Sequence, residues 1–241
     1  GAAVILGWLS SLWQVALVWG IGVTLAIKIC DRWCPAHLNP AVTLGMCLAR
    51  HHSWRRLFPY ALAQLTGAVL AAFSLLQLFK SPIESMEKAN LGTDADLYHF
   101  VAPLRSQESA QMFGEFFPNP SYAHLIDIDW PTAFLVEFIG TGLLIYFILM
   151  ITEGISRLTW KVAASIGLLV ASLIAVLAPF TQCGINPARD LGPRLVAYFN
   201  GWGEYALPDP AHAAISVYVL APLLGAMLAA WSYSRYRVNP K

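Results

Sequence analysis

The chain has 241 residues, 57% of them hydrophobic and 12% charged, with a formal net charge of +1. A soluble domain of this size cannot bury so much apolar side chain, so the composition excludes one and places the chain in a lipid bilayer. The near-neutral charge leaves no basic stripe to neutralise phosphates, which excludes a nucleic-acid partner. Four cysteines (Cys30, Cys34, Cys47, Cys183) lie in or near apolar segments and do not form a disulfide framework.

In chain order, a short N-terminal stub leads into an apolar stretch over 13–27, with Trp19 inside it. Cys30, Cys34 and His37 follow at a spacing that supplies three metal ligands and no fourth, so no structural metal site is read there. His37 stands just before the triplet Asn39-Pro40-Ala41, where it either fixes the loop ahead of Asn39 or lines an entrance beside it. Asn is a strong N-cap and Pro suits the first turn of a helix, so the triplet predicts a helix starting at Pro40. Apolar stretches then run over 57–79, 132–152, 162–180 and 213–231, most near the ~20 residues that a membrane span needs. Among these four, only Glu137 carries an ionisable acid or base, and it is read as a buried hydrogen-bond hub. A second triplet, Asn186-Pro187-Ala188, predicts a second short helix starting at Pro187.

The connection from 80 to 129 holds eight acidic residues (Glu84, Glu87, Asp94, Asp96, Glu108, Glu115, Asp127, Asp129) against three basic ones. Arg50, Arg55, Arg56, Arg157, Lys161, Arg235, Arg237 and Lys241 fall on the opposite side by alternate counting of spans. The positive-inside rule makes that side, with the C-terminus, cytoplasmic. The long connection is then a partly ordered extracellular cap. Trp8, Trp13, Trp33, Trp54, Trp130 and Trp202 are assigned to the interfacial aromatic belt.

Residues 63–72 (AQLTGAVLAA) match 221–230 (APLLGAMLAA) at seven of ten positions, each segment following its own triplet. An odd number of spans per half inverts the second copy and brings both helix starts together near the midplane. Gly67 and Gly225, at equivalent places, are read as points of tight helix contact within or between subunits. The motif EFIGTG (137–142) begins 49 residues before Asn186, and its counterpart before Asn39 would precede residue 1. The predicted fold is an all-α membrane protein, an inverted repeat with two re-entrant half-helices, with the first transmembrane helix largely absent from this sequence. Its parts are a first repeat (1–79), a long loop (80–131) and a second repeat (132–241).

Paired NPA triplets, the AQLTGAVLAA helix, EFIGTG and Arg189 directly after the second triplet resemble the major intrinsic proteins, the aquaporins and aquaglyceroporins. The resemblance covers essentially the whole chain. Asp190 after that arginine, Trp19, the GWG at 201–203 and FFPNP at 116–120 are similar to the glycerol-conducting branch. It implies a passive channel for glycerol and similar small neutral solutes with water, excluding ions and protons, without enzymatic activity, cofactor or metal. It also implies a multi-pass protein of the cell or inner membrane, assembled as a homotetramer.

Carried over by position, the resemblance puts Trp19, Ile174, Cys183 and Arg189 at a selectivity filter, with His37, Glu137 and Asp190 in support. Two filter positions depart from the glycerol pattern, which usually has Gly where Ile174 stands and Phe where Cys183 stands. The resulting ring also resembles filters that pass water, metalloid hydroxides or lactic acid, which is the alternative within the channel class. A coupled secondary carrier is the alternative outside it. That class would need further acidic or basic groups in the spans, and they are lacking.

Overall fold

The computed structural model describes residues 5–90 and 105–236. Asp94, Asp96, Arg237 and Lys241, which entered the charge pattern above, lie outside the described residues. Regular structure among those described is entirely helical. Among the described residues, five helices are long and apolar enough to cross a membrane. They are α1 (Leu12–Cys30), α3 (Leu57–Leu78), α6 (Trp130–Thr152), α7 (Trp160–Thr181) and α9 (Ala213–Tyr236). The half-helices predicted at the triplets are α2 (Pro40–Leu48) and α8 (Pro187–Ala197). At ~1.5 Å per residue each reaches only about halfway through a ~30 Å hydrocarbon core. Helices α4 (Lys80–Asn90) and α5 (Gln107–Ala110) give the long connection the partial order expected of it.

The helix boundaries follow local chemistry. Helix α1 begins where Ser11 and Gln14 form a reciprocal capping box, Gln14 N–H donating to Ser11 Oγ at 3.4 Å and Ser11 N–H to Gln14 Oε1 at 3.1 Å. No helix precedes it among the described residues. Asp129 caps α6 through Thr132 N–H at 3.0 Å, with Pro131 at the start of the helix.

Hydrophobicity alone gives helices in lipid little reason to associate, so close backbone contact has to come from small residues. Gly20 of α1 lies against Gly167 of α7: a Cβ on Gly20 would sit 2.7 Å from the Gly167 carbonyl oxygen. Gly225 of α9 does the same against α6, where a Cβ would come within 2.2 Å of the Phe138 carbonyl oxygen. The two halves interlock through their half-helices. Helix α3 packs on α8 and α9 packs on α2; Gly192 in α8 permits the first contact, since a Cβ there would meet Ala68 at 2.7 Å. Gly67 differs: a Cβ on it would meet nothing within 4 Å among the described residues, so the tight contact read for it is not made among them.

The belt assignment also needs one correction. Trp8, Trp13, Trp33, Trp54 and Trp130 are exposed, but Trp202 is only 1% exposed. Its indole N–H donates to Ser109 Oγ at 2.7 Å, and its ring packs on Phe113. Trp202 is a pin between the end of the second half and the long connection, a position where a buried indole satisfies its single donor.

Candidate functional site

The two half-helices abut at their N-termini. Asn39 Oδ1 accepts from Ala41 N–H at 2.8 Å, and Asn186 Oδ1 accepts from Ala188 N–H at 3.1 Å and Arg189 N–H at 3.3 Å. Each carboxamide also reaches across the pseudo-twofold. Asn39 Nδ2 donates to the Ile185 carbonyl at 2.8 Å and Asn186 Nδ2 to the Leu38 carbonyl at 3.0 Å. In the structure each amide spends one N–H on the opposite loop, which leaves one N–H per asparagine.

The loops before the triplets achieve this with left-handed backbone. Ala36 (φ 52), Leu38 (φ 56), Gln182 (φ 59), Cys183 (φ 62) and Ile185 (φ 40) all have positive φ without being glycine. For β-branched Ile185 this is a strained conformation, and surrounding contacts have to hold it. Glu137 supplies them. From the middle of α6 its carboxylate accepts from Thr181 Oγ1 (2.6 Å), Gly184 N–H (2.8 Å) and Ile185 N–H (2.6 Å). The hub expected at this residue therefore builds the second re-entrant loop.

A lumen of about 110 Å³ passes between the triplets. Since a water needs about 10–15 Å³ on this measure, it holds a short file of small molecules. Its lining includes Trp19, His37, Asn39, Ile174, Cys183, Asn186 and Arg189, so the structure gathers both asparagines and all four filter candidates around one space. Cys183 is 1% exposed and lines this space. The guanidinium carbon of Arg189 stands 4.5 Å from the centroid of Trp19, a cation–π pair at the end of the lumen. His37 lines the other end, its Nδ1 3.3 Å from Thr43 Oγ1.

Asp190 does not face the lumen. Fully buried one residue beyond the arginine, it accepts from Arg194 Nε at 2.9 Å and Nη2 at 2.6 Å, and from Glu115 N–H at 2.8 Å. Arg194 also donates to the Ala206 carbonyl and, at 2.6 Å, to the Glu115 carbonyl. Residues 116–120 are fastened alongside: Phe116 N–H donates to Gln182 Oε1 at 2.6 Å, and Asn119 Nδ2 to the Ala178 carbonyl at 2.7 Å. The long connection is thus tied into the mouth of the lumen, where it delivers Glu115 to Arg189 as an ion pair. Sequence reasoning missed Arg194 and Glu115. Arg194 was recoverable from its i,i+4 spacing to Asp190; Glu115 had no local signal, because its partner lies in another element.

The sequence profile described as Major intrinsic protein matches residues 5–233. The chain is 32% identical to the glycerol uptake facilitator protein of Haemophilus influenzae over 229 residues, covering 93% of this chain and 81% of that protein. It is 34% identical to the glycerol uptake facilitator protein of Pseudomonas aeruginosa over 227 residues, 92% of this chain and 76% of that one. Its fold is similar to the X-ray structure of the aquaglyceroporin from Plasmodium falciparum, with a TM-score of 0.71 and 20% identity over 94% of this chain and 83% of the other. With five apolar spans, two abutting half-helices and a profile match from end to end, the chain is an integral multi-pass membrane protein of the major intrinsic protein family.

Proposed function

We propose that this chain is a passive channel conducting glycerol and similar small neutral solutes, together with water, and excluding ions and protons. One observation carries the reading: two helix N-termini meet at a single lumen whose far end holds the Trp19–Arg189 pair. The converging helix dipoles raise the energy of a cation there, while a neutral molecule escapes that penalty. The remaining N–H of Asn39 and of Asn186 can each donate to a passing hydroxyl, and a hydroxyl oriented by fixed donors is a poor proton relay. Trp19 offers an apolar wall to the carbon side of a polyol while Arg189 bonds its oxygens. The relatives named as glycerol uptake facilitators support the same solute class.

In this reading Trp19, Ile174, Cys183 and Arg189 form the filter, and Glu137, Asp190 and His37 support the pathway. Ile174 donates no hydrogen bond and Cys183 is small, so the ring favours breadth over strict water selection. A passive route suits this lining better than a coupled carrier: Arg189 is the only formally charged residue among the described lumen-lining ones, and it is balanced by Glu115. In the same reading the basic clusters favour a cytoplasmic C-terminus, and the exposed apolar helix faces are compatible with a homotetramer in the cell or inner membrane. Stopped-flow light scattering of proteoliposomes under parallel water, glycerol and lactic acid gradients tests the proposal. Glycerol permeation well above that of protein-free vesicles is expected; a glycerol rate at the bare-lipid level would overturn it.

A further inference from the structure

Beside the lumen lies a second cavity of about 400 Å³, the vestibule over the filter. Its walls come from residues 9–11 and α1, α5, α7, the loop before α8, Arg189 of α8, and the segment 111–122. Two acidic residues line it, Glu108 and Glu115, and Glu115 is the one that pairs with Arg189. The placement of Glu115 is built rather than incidental. Its N–H is held by Asp190 at 2.8 Å and its carbonyl by Arg194 at 2.6 Å, while the next residue is anchored on Gln182. Gly114 allows this approach, since a Cβ there would fall 2.7 Å from the Arg194 guanidinium carbon. The buried Asp190–Arg194 pair grips the backbone on both sides of one residue, and that residue's side chain reaches the filter arginine.

We propose that Glu115 is a specificity-determining residue of the constriction, which rests on the channel reading above: its carboxylate neutralises Arg189, holds the guanidinium over Trp19, and offers an acceptor to the solute. A polyol presents donors and acceptors together, so an arginine–carboxylate pair matches it better than a lone arginine. Neutralising Glu115 removes the acceptor and loosens a long cationic side chain in a passage one molecule wide. Glycerol, which needs both the width and the acceptor, loses more than water does.

The surroundings make this sensitive to pH. Around Glu115 stand Arg189, Asp190 and Arg194 from α8 and Cys183 from the loop before it, with Glu108 and Tyr122 on its own connection. The vestibule walls from α1 and α7 contribute no titratable group. Burial raises the Glu115 pKa to about 7, with Asp190 adding to the rise and Arg189 and Arg194 opposing it. The carboxylate therefore prevails above about pH 7 and the neutral acid below it, so glycerol conduction falls as the solution is acidified through neutrality.

The test is glycerol and water permeability of proteoliposomes at pH 8.5 and 5.5 for the parent, Glu115→Gln and Glu115→Asp. In the parent, glycerol flux is expected to drop about five-fold on acidification with water changing less, the effect of one modest hydrogen bond. Glu115→Gln is expected to behave at both pH values like the parent at pH 5.5, and Glu115→Asp to retain a pH-dependent glycerol-to-water ratio. A Glu115→Gln channel that matches the parent at pH 8.5, or that keeps the parent's pH profile, overturns the assignment. A parent that conducts glycerol equally well at both pH values overturns it while leaving the channel reading intact. Absence of glycerol flux at either pH would sink both.

Discussion

The two re-entrant loops end in the same triplet but are held by different means. Ahead of Asn186, the loop is clamped by the Glu137 carboxylate, which takes three donors, and by Tyr218, whose hydroxyl donates to the Thr181 carbonyl at 3.2 Å. Ahead of Asn39, a lighter chain runs from His37 to Thr43 and from Gln64 Nε2 to Thr43 Oγ1 at 3.1 Å, with no carboxylate. The equivalent glycines differ in the same way, Gly225 pressing on the Phe138 carbonyl and Gly67 facing open space. The repeat reproduces the chemistry of the helix starts, where the two asparagines meet, while the hydrogen bonds that hold each loop differ.

Removing Glu137 is the most severe way to probe this asymmetry. Glu137→Ala leaves Thr181 Oγ1 and the N–H groups of Gly184 and Ile185 without their acceptor, at about 1–3 kcal/mol each. We expect a collapsed yield of folded channel, or glycerol flux reduced at least ~10-fold in what survives. Thr43→Val, the matching cut in the first half, should cost about 1–2 kcal/mol. Thermal unfolding in detergent ranks the two; equal losses would remove Glu137 from its distinguished role.

The glycine pair comes next. Gly225→Leu must displace a backbone carbonyl and should lower stability by about 1–3 kcal/mol or more. Gly67→Leu should stay within about 0.5 kcal/mol in the detergent-solubilised monomer. If Gly67→Leu is as damaging as Gly225→Leu in the monomer, the contrast between the two glycines does not hold.

Much of this was legible in the sequence because it follows from local rules. Lengths of apolar stretches marked the five spans, and Asn-Pro marked both half-helix starts, since capping needs only adjacent residues. The filter positions of Trp19, Ile174, Cys183 and Arg189 came from a family resemblance; no spacing argument connects four residues on four segments. Glu115 stayed hidden for that reason, and Trp202 was misassigned because a tryptophan at an interface and one buried against a loop look alike in sequence. The hydrogen bonds that each triplet asparagine makes to the opposite loop join residues 146 and 148 positions apart, and no local pattern marks such a pair.

At the proposed filter, to which the second half would contribute Cys183 and Arg189 and the first half Trp19, smaller and more selective effects are expected. Arg189→Val removes the positive charge and leaves Glu115 unpaired at the mouth. Cation or proton leak should rise about ten-fold, equivalent to ~1.4 kcal/mol of lost barrier, as read by vesicle conductance. Unchanged leak and unchanged solute rates would take Arg189 out of the filter. Cys183 gives the finest probe. Its thiol is reached through the lumen, so a mercurial added outside should block flux in the parent and spare Cys183→Ser. Cys183→Phe should slow water relative to glycerol. Equal block of the serine variant would mean that the thiol does not face the path.

Glycerol flux and proton conductance measured together in the same vesicles address whether one lumen passes neutral solute while rejecting charge. The expected result is glycerol flux that rises linearly with its gradient, is unaffected when proton and sodium gradients are collapsed, and is accompanied by proton conductance no higher than that of bare lipid. Glycerol flux that saturates and depends on an ion gradient, or that brings proton conductance with it, would contradict the channel assigned to Asn39, Asn186 and Arg189.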